Sequence, residues 1–179
     1  MNTFLSRLNS LFAMTMTVLA GLTFCCFLST VHHTHHSIAK LDTPSVLVRQ
    51  APDYMIGHEI NDLGHMTLNI DADLNHLFNW NVKQLFVYIT AHYKTEKNAF
   101  NQVVLWDKII RRGESARLQY SRVNPKYYFW DDGFGLRGNP NVTLALQYNV
   151  IPNSGRLLNI YAEGRHVVSM PENYIKGRA

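Results

Sequence analysis

From Leu8 to Ala39 the chain contains no Asp, Glu, Lys or Arg. Inside that gap, Leu11 to Val31 reads LFAMTMTVLAGLTFCCFLSTV. A helix of about 20 apolar residues, rising ~1.5 Å each, crosses the hydrocarbon core of a bilayer. A core helix of a soluble protein would carry a polar face, and this stretch has none. A cleaved signal peptide has a shorter apolar region, about 7–15 residues, ending in small residues at a small-x-small site. Here the run ends Phe27-Leu28-Ser29-Thr30-Val31, and the best cleavage pair, Thr23 and Cys25, lies inside it. The segment therefore reads as an uncleaved signal anchor over 11–31, after a short cytosolic N-terminus of 1–10.

Orientation follows from the flanks. Arg7 and the α-amino group stand close on the N-terminal side, whereas Lys40, Asp42 and Arg49 lie farther out on the other. The bias in positive charge puts the N-terminus in the cytosol and translocates the rest, a type II arrangement. Asn141-Val142-Thr143 is the one N-glycosylation acceptor in the sequence, and it is usable only on the lumenal side.

The remaining chain is long enough to bury a core of its own. Both cysteines, Cys25 and Cys26, sit within the anchor, so no disulfide staples the rest. Beyond Val31, 16 Lys and Arg (all but Arg7) face 13 Asp and Glu, leaving +3 with no long basic run. That balance gives nucleic-acid binding no support.

Residues 32–63, with Pro44, Pro52 and Gly57 and mixed polarity, read as a connector and irregular lead-in. His32, His33, His35 and His36 cluster in it. Such a tract can bind metal, but no Cys, Asp or Glu stands within it, and it reads as an interfacial spacer. From Gly64 the period becomes two. Met66, Leu68, Ile70 and Ala72 alternate with Thr67, Asn69, Asp71 and Asp73, the pattern of a half-buried strand. Val82–Tyr93 and Val103–Ile110 are rich in β-branched and aromatic residues. Shorter strands are expected over 117–122 and 126–130. Asn141–Val150 alternates cleanly, and 157–170 holds a strand pair around Gly164. Seven or eight strands separated by turn residues predict an antiparallel, all-β, sandwich-like domain over 64–179.

Few residues suggest chemistry. Asp71-Ala72-Asp73 has the spacing of metal-dependent sugar-nucleotide transferases, yet a spacing of two also places both carboxylates on the polar face of one strand. The alternating βα pattern of such enzymes is absent. Asp131-Asp132-Gly133 lacks the rest of a calcium-loop pattern. There is no G-x-S-x-G, H-E-x-x-H, P-loop or dinucleotide fingerprint. No catalytic, cofactor-binding or metal-ligating residue is assigned. Trp80, Trp106, Trp130 and the tyrosines are candidates for partner contacts; the alternative is that most of them are sandwich core, and the neighbours of Trp106 do not decide which face it takes.

Several longer strings are distinctive. They are Leu5-Ser6-Arg7, Asn9-Ser10-Leu11-Phe12, Asn81-Val82-Lys83-Gln84-Leu85-Phe86, Asn101-Gln102-Val103-Val104-Leu105-Trp106-Asp107-Lys108-Ile109, Gly138-Asn139 and Asn141-Val142-Thr143-Leu144. Together they resemble, almost end to end, the family of signal peptidase complex subunit 3, the glycosylated accessory subunit. The resemblance implies a single-pass protein of the endoplasmic reticulum membrane with a lumenal β-sandwich-like domain and a glycan at Asn141. It implies no catalysis by this chain. Its partners would be the catalytic serine protease subunit, which it holds in place, the other small membrane subunits, and the bilayer. The histidine tract, and Asn79 where the family pattern has an acidic residue, depart from it. The readings from other classes are a small membrane-anchored lumenal enzyme, such as a glycosyltransferase using Asp71 and Asp73, and a generic lumenal adaptor.

Overall fold

A computed structural model describes residues 3–53, 59–131 and 133–175. Helix α1 spans Phe4–Thr30 and starts at Thr3, whose hydroxyl accepts from the Ser6 amide at 3.3 Å. It exceeds the anticipated 11–31 segment at its start and carries Arg7 within its first turns. No residue of α1 is buried. Its hydroxyls turn back onto the helix: Thr15 donates to the Leu11 carbonyl, Thr17 to Ala13 and Ser29 to Cys26. This satisfies polar groups that hydrocarbon cannot solvate.

The rest of the described chain is built on β-structure. The strands are β1 (Ala39–Asp53), β2 (Glu59–Asp73), β3 (Val82–Tyr93), β4 (Asn101–Arg111), β5 (Arg117–Val123), β6 (Phe129–Trp130), β7 (Val142–Pro152), β8 (Leu158–Tyr161) and β9 (His166–Val168). They form two antiparallel sheets. One runs β1-β2-β5, with β6 also on β2; the other runs β4-β3-β7-β8, with β9 also on β7. The faces meet in one apolar core. Met66, Leu68, Ile70 and Ala72 of β2 share it with Leu85, Val87 and Ile89 of β3 and Val142, Leu144, Leu146 and Tyr148 of β7. The domain is thus a sandwich, and the alternation read in β2 and β7 is the alternation of its inner and outer faces.

Three expectations need correction. Residues 32–63 are not an irregular lead-in, because β1 occupies 39–53 and β2 already begins at Glu59. Pro44 obscured the strand. Proline is tolerated here because β1 is an edge strand, and the register with β2 shifts between Asp42 and Ser45, around it. Gly57, which contributed to the same expectation, lies outside the described residues. Gly64 accordingly lies inside β2, where an added Cβ would stand 2.8 Å from the Phe129 ring and 2.9 Å from Leu136. Second, the expected strand over 126–130 shrinks to Phe129–Trp130, because the amides of Lys126 and Tyr127 both turn to the Leu105 carbonyl. Third, β8 and β9 do not pair with each other. Both lie on β7, β8 against 147–150 and β9 against 142–144. The link between them leaves the sheet to meet the start of β1, where the Ala39 amide donates to the Glu163 carbonyl and the Glu163 amide to the Ser37 carbonyl.

Candidate partner-binding and glycan-acceptor surfaces

The end of the sandwich next to α1 is built from two turns. Asn81, at the entry to β3, is 3% exposed. Its Nδ2 donates to the Thr30 hydroxyl at 3.0 Å and to the Ser154 carbonyl at 2.8 Å. Its Oδ1 accepts from the Ser154 amide at 3.1 Å. Ser154 then reaches up the helix, donating its hydroxyl to the Thr23 carbonyl at 2.8 Å. Gly155, at φ +117°, lies so close to Phe27 that a Cβ would stand 2.7 Å from its ring. The connector is held as well. The Tyr148 hydroxyl donates to the His35 carbonyl at 2.5 Å, and His76 Nε2 lies 2.6 Å from the His36 carbonyl. Burial pushes the Tyr148 phenol up to about 12, so it remains a donor throughout the physiological range.

The opposite end carries Asn141. β7 runs from Val142 to Pro152. A strand of that length, at about 3.3 Å per residue, separates Asn141 from the helix-side turn by ~35 Å. Asn141 is exposed, and its Oδ1 lies 3.5 Å from the Thr143 hydroxyl. Beside it, an open groove of about 900 Å³ runs between the 94–97 and 133–141 loops. The latter loop is fixed by two buried carboxylates. Asp131 accepts from the Tyr93 hydroxyl and the Gly135 amide, both at 2.8 Å. Asp62 accepts from the Arg137 amide and the Tyr174 hydroxyl, both at 2.9 Å. Asp131 is therefore a loop fastener. Asp132 lies outside the described residues.

Asp71 and Asp73 share the polar face of β2, and Arg117 bridges them at 3.0 and 3.6 Å. The Asn75 backbone and side-chain amides, helped by Arg117, hold the Asp73 carboxyl below its ordinary range. Among the described residues no group of three or more His, Cys, Asp or Glu side chains comes together as a metal site. Of the four connector histidines, the His33 and His35 rings meet edge-on at 5.3 Å.

The outer face of the β4-β3-β7-β8 sheet is the third feature. Pairing places Phe86 beside Ile109 and Asn149, and Gln147 between Tyr88 and Tyr161. A polar ladder crosses its centre. Gln147 donates to the Thr90 hydroxyl at 2.6 Å, and the Tyr88 hydroxyl donates to Gln147 Oε1 at 3.0 Å. His92 Nε2 lies 2.9 Å from the Thr90 hydroxyl, and its ring meets those of Phe100 and Tyr161. Desolvation, and then Arg165, pull the His92 imidazole below its ordinary value. Of the three tryptophans, Trp106 is in the core at 5% exposure, while Trp80 is 56% exposed. Trp130 is half-buried on β6, next to the Asp131 fastener.

A family model described as "Signal peptidase subunit" matches residues 1–173. The chain belongs to the signal peptidase subunit family. Its relatives include the proteins named "Signal peptidase complex subunit 3" of Drosophila melanogaster, at 51% identity, and of Homo sapiens, at 47%, each alignment covering 97% of both chains. The Gallus gallus protein of the same name is 48% identical over the same share.

The Asn79 departure has a local explanation. Its Oδ1 accepts from the Asn81 and Val82 amides at 2.9 and 3.1 Å, a role any Asx acceptor fills. The residues that reading by sequence missed are Asn81, Ser154 and Gly155. Pro152-Asn153-Ser154-Gly155 reads as a turn by composition, but nothing local in it announces a helix as its partner.

Proposed function

We propose that this chain is a non-catalytic accessory subunit of the signal peptidase complex in the endoplasmic reticulum membrane. Its N-terminus is cytosolic, its sandwich is lumenal, and α1 is retained as a signal anchor. The chain supports removal of signal peptides from secretory and membrane precursors by holding and positioning the catalytic serine protease subunit. The observation that carries this reading is the family match over nearly the whole chain, with one apolar helix long enough to span a bilayer at its start. The fastening of that helix to the sandwich suits a positioning part, since a mobile tether would transmit no orientation. The Asp residues that suggested a transferase are occupied with Arg117 and Asn75.

The surface best suited to a protein partner is the outer face of the β4-β3-β7-β8 sheet. Phe100, Ile109 and Tyr161 are 66%, 51% and 44% exposed around its polar ladder. Asn141, exposed at the end away from the helix, is the lumenal glycan acceptor.

The test is depletion and rescue. Loss of the chain should leave precursors unprocessed, and mild-detergent capture should retain a membrane serine protease subunit. Ile109→Glu with Tyr161→Glu should weaken that capture without detaching the chain from membranes. Normal processing after complete depletion would sink the reading.

A further inference from the structure

We propose that the helix-side end of the sandwich is a lipid-contacting face, resting on the phospholipids of the bilayer that α1 spans. This rests on the reading of α1 as a membrane anchor. Arg7 marks the headgroup level at one side. A hydrocarbon core of about 30 Å then takes roughly 20 residues, which ends it near Phe27. The domain, however, touches the helix below its last turn. Ser154 bonds the Thr23 carbonyl and Gly155 lies on Phe27. Thr23 is seven residues short of the helix end, about 10 Å along the axis. The 152–157 turn therefore sits at the boundary between hydrocarbon and headgroups.

Two further turns share that level. Asn81 of the 79–83 turn bonds Thr30. The 111–116 turn is tied to it, because the Arg112 amide donates to the Lys83 carbonyl and its guanidinium to the carbonyls of Asn79 and Val82. The three turns together hold Lys83, Arg111, Arg112 and Arg156 against a single acid, Glu114. Trp80 and Leu157 project from them, 56% and 62% exposed. An indole at the headgroup level among cations that can meet phosphates is the composition of a membrane interface. A soluble surface gives no reason to leave Trp80 and Leu157 uncovered so close to a spanning helix.

The experiment uses the full chain, alone and within the purified complex, in bilayers of brominated phosphatidylcholine. Bromine quenches only indoles that touch lipid. Wild type should show quenching that Trp80→Phe largely abolishes, with Trp106 shielded in the core and Trp130 at the far end of the sandwich. Equal quenching in wild type and W80F overturns the proposal. So does quenching at Trp80 in the isolated chain that vanishes in the complex, which would assign the face to a protein subunit. Labelling with a diazirine phosphatidylcholine separates this from the anchor reading. Label on α1 and on the 79–83 and 153–157 peptides supports the proposal, and label on α1 alone overturns only the proposal. No label on α1 overturns the anchor as well.

Discussion

Asn81 and Thr30 stand 51 residues apart in sequence, and a 3.0 Å hydrogen bond between their side chains fastens the sandwich to the end of the helix. The same amide holds the Ser154 amide and carbonyl. Asn81→Ala would strand the Ser154 amide and carbonyl at a part-buried site, while the Thr30 hydroxyl keeps the Phe27 carbonyl at 3.2 Å. Each unsatisfied buried group costs ~1–3 kcal/mol, so a lower urea midpoint for the detergent-solubilised chain is expected. The 31–38 connector should also become more sensitive to protease. An unchanged midpoint would show that the turn holds itself.

Gly155 adopts φ +117°, a conformation L side chains rarely take, and faces Phe27. Gly155→Ala should therefore lose about 1–3 kcal/mol through backbone strain, with a steric component added. Phe27→Ala in the same chain should restore the steric part and leave the backbone part. A double-mutant cycle with no coupling would place the cost in the turn alone.

The proposed lumenal placement of Asn141 predicts one glycosidase-sensitive form of the chain. Asn141→Gln and Thr143→Ala should each abolish it, and Thr143→Ser should preserve it. Gel mobility before and after glycosidase reads the outcome. A persistent shift in Asn141→Gln, or none in the wild type from cells, would contradict the topology.

His35, His65 and His92 are all held below their ordinary value of 6.5, chiefly by desolvation. In the unfolded chain they take up protons as the pH falls through 6.5, while in the folded chain they stay neutral to lower pH. The unfolded state then binds more protons, so stability declines from about 6.5 downward and levels off below the depressed folded values. Unfolding midpoints measured from about pH 7.5 down to about 5.5 should fall. His92→Gln, which keeps a hydrogen-bonding amide beside Thr90 but cannot titrate, should flatten that slope.

Much of the sandwich was legible because its faces differ so sharply. β3 was anticipated at Val82–Tyr93 and is found there. The alternating apolar positions of β2 from Met66 to Ala72, and of β7 from Val142 to Val150, are buried. What hid was structure whose cause is not periodic. Edge strand β1 carries a proline that a central strand would refuse, so its composition imitated a loop. β8 and β9 looked like a hairpin because Gly164 lies between them. At φ +102° that glycine, where a Cβ would collide with the Ala39 carbonyl, instead serves the contact with β1. Among the surfaces, Asn141 was visible as a tripeptide. The helix clamp was not, because hydrogen bonds between residues 51 and 131 apart leave no mark on either segment.

That clamp also has an order in time. Thr23 leaves the ribosome 131 residues before the serine that binds its carbonyl. While the intervening chain is made, the outer turns of α1 can meet lipid but not Asn153-Ser154-Gly155. The helix thus begins life as a freely tilting span. Its full clamp closes only once β7 has been made, so a nascent chain stopped short of Pro152 would be anchored with Asn81 alone available to meet the helix end, and nothing to hold Thr23 and Phe27.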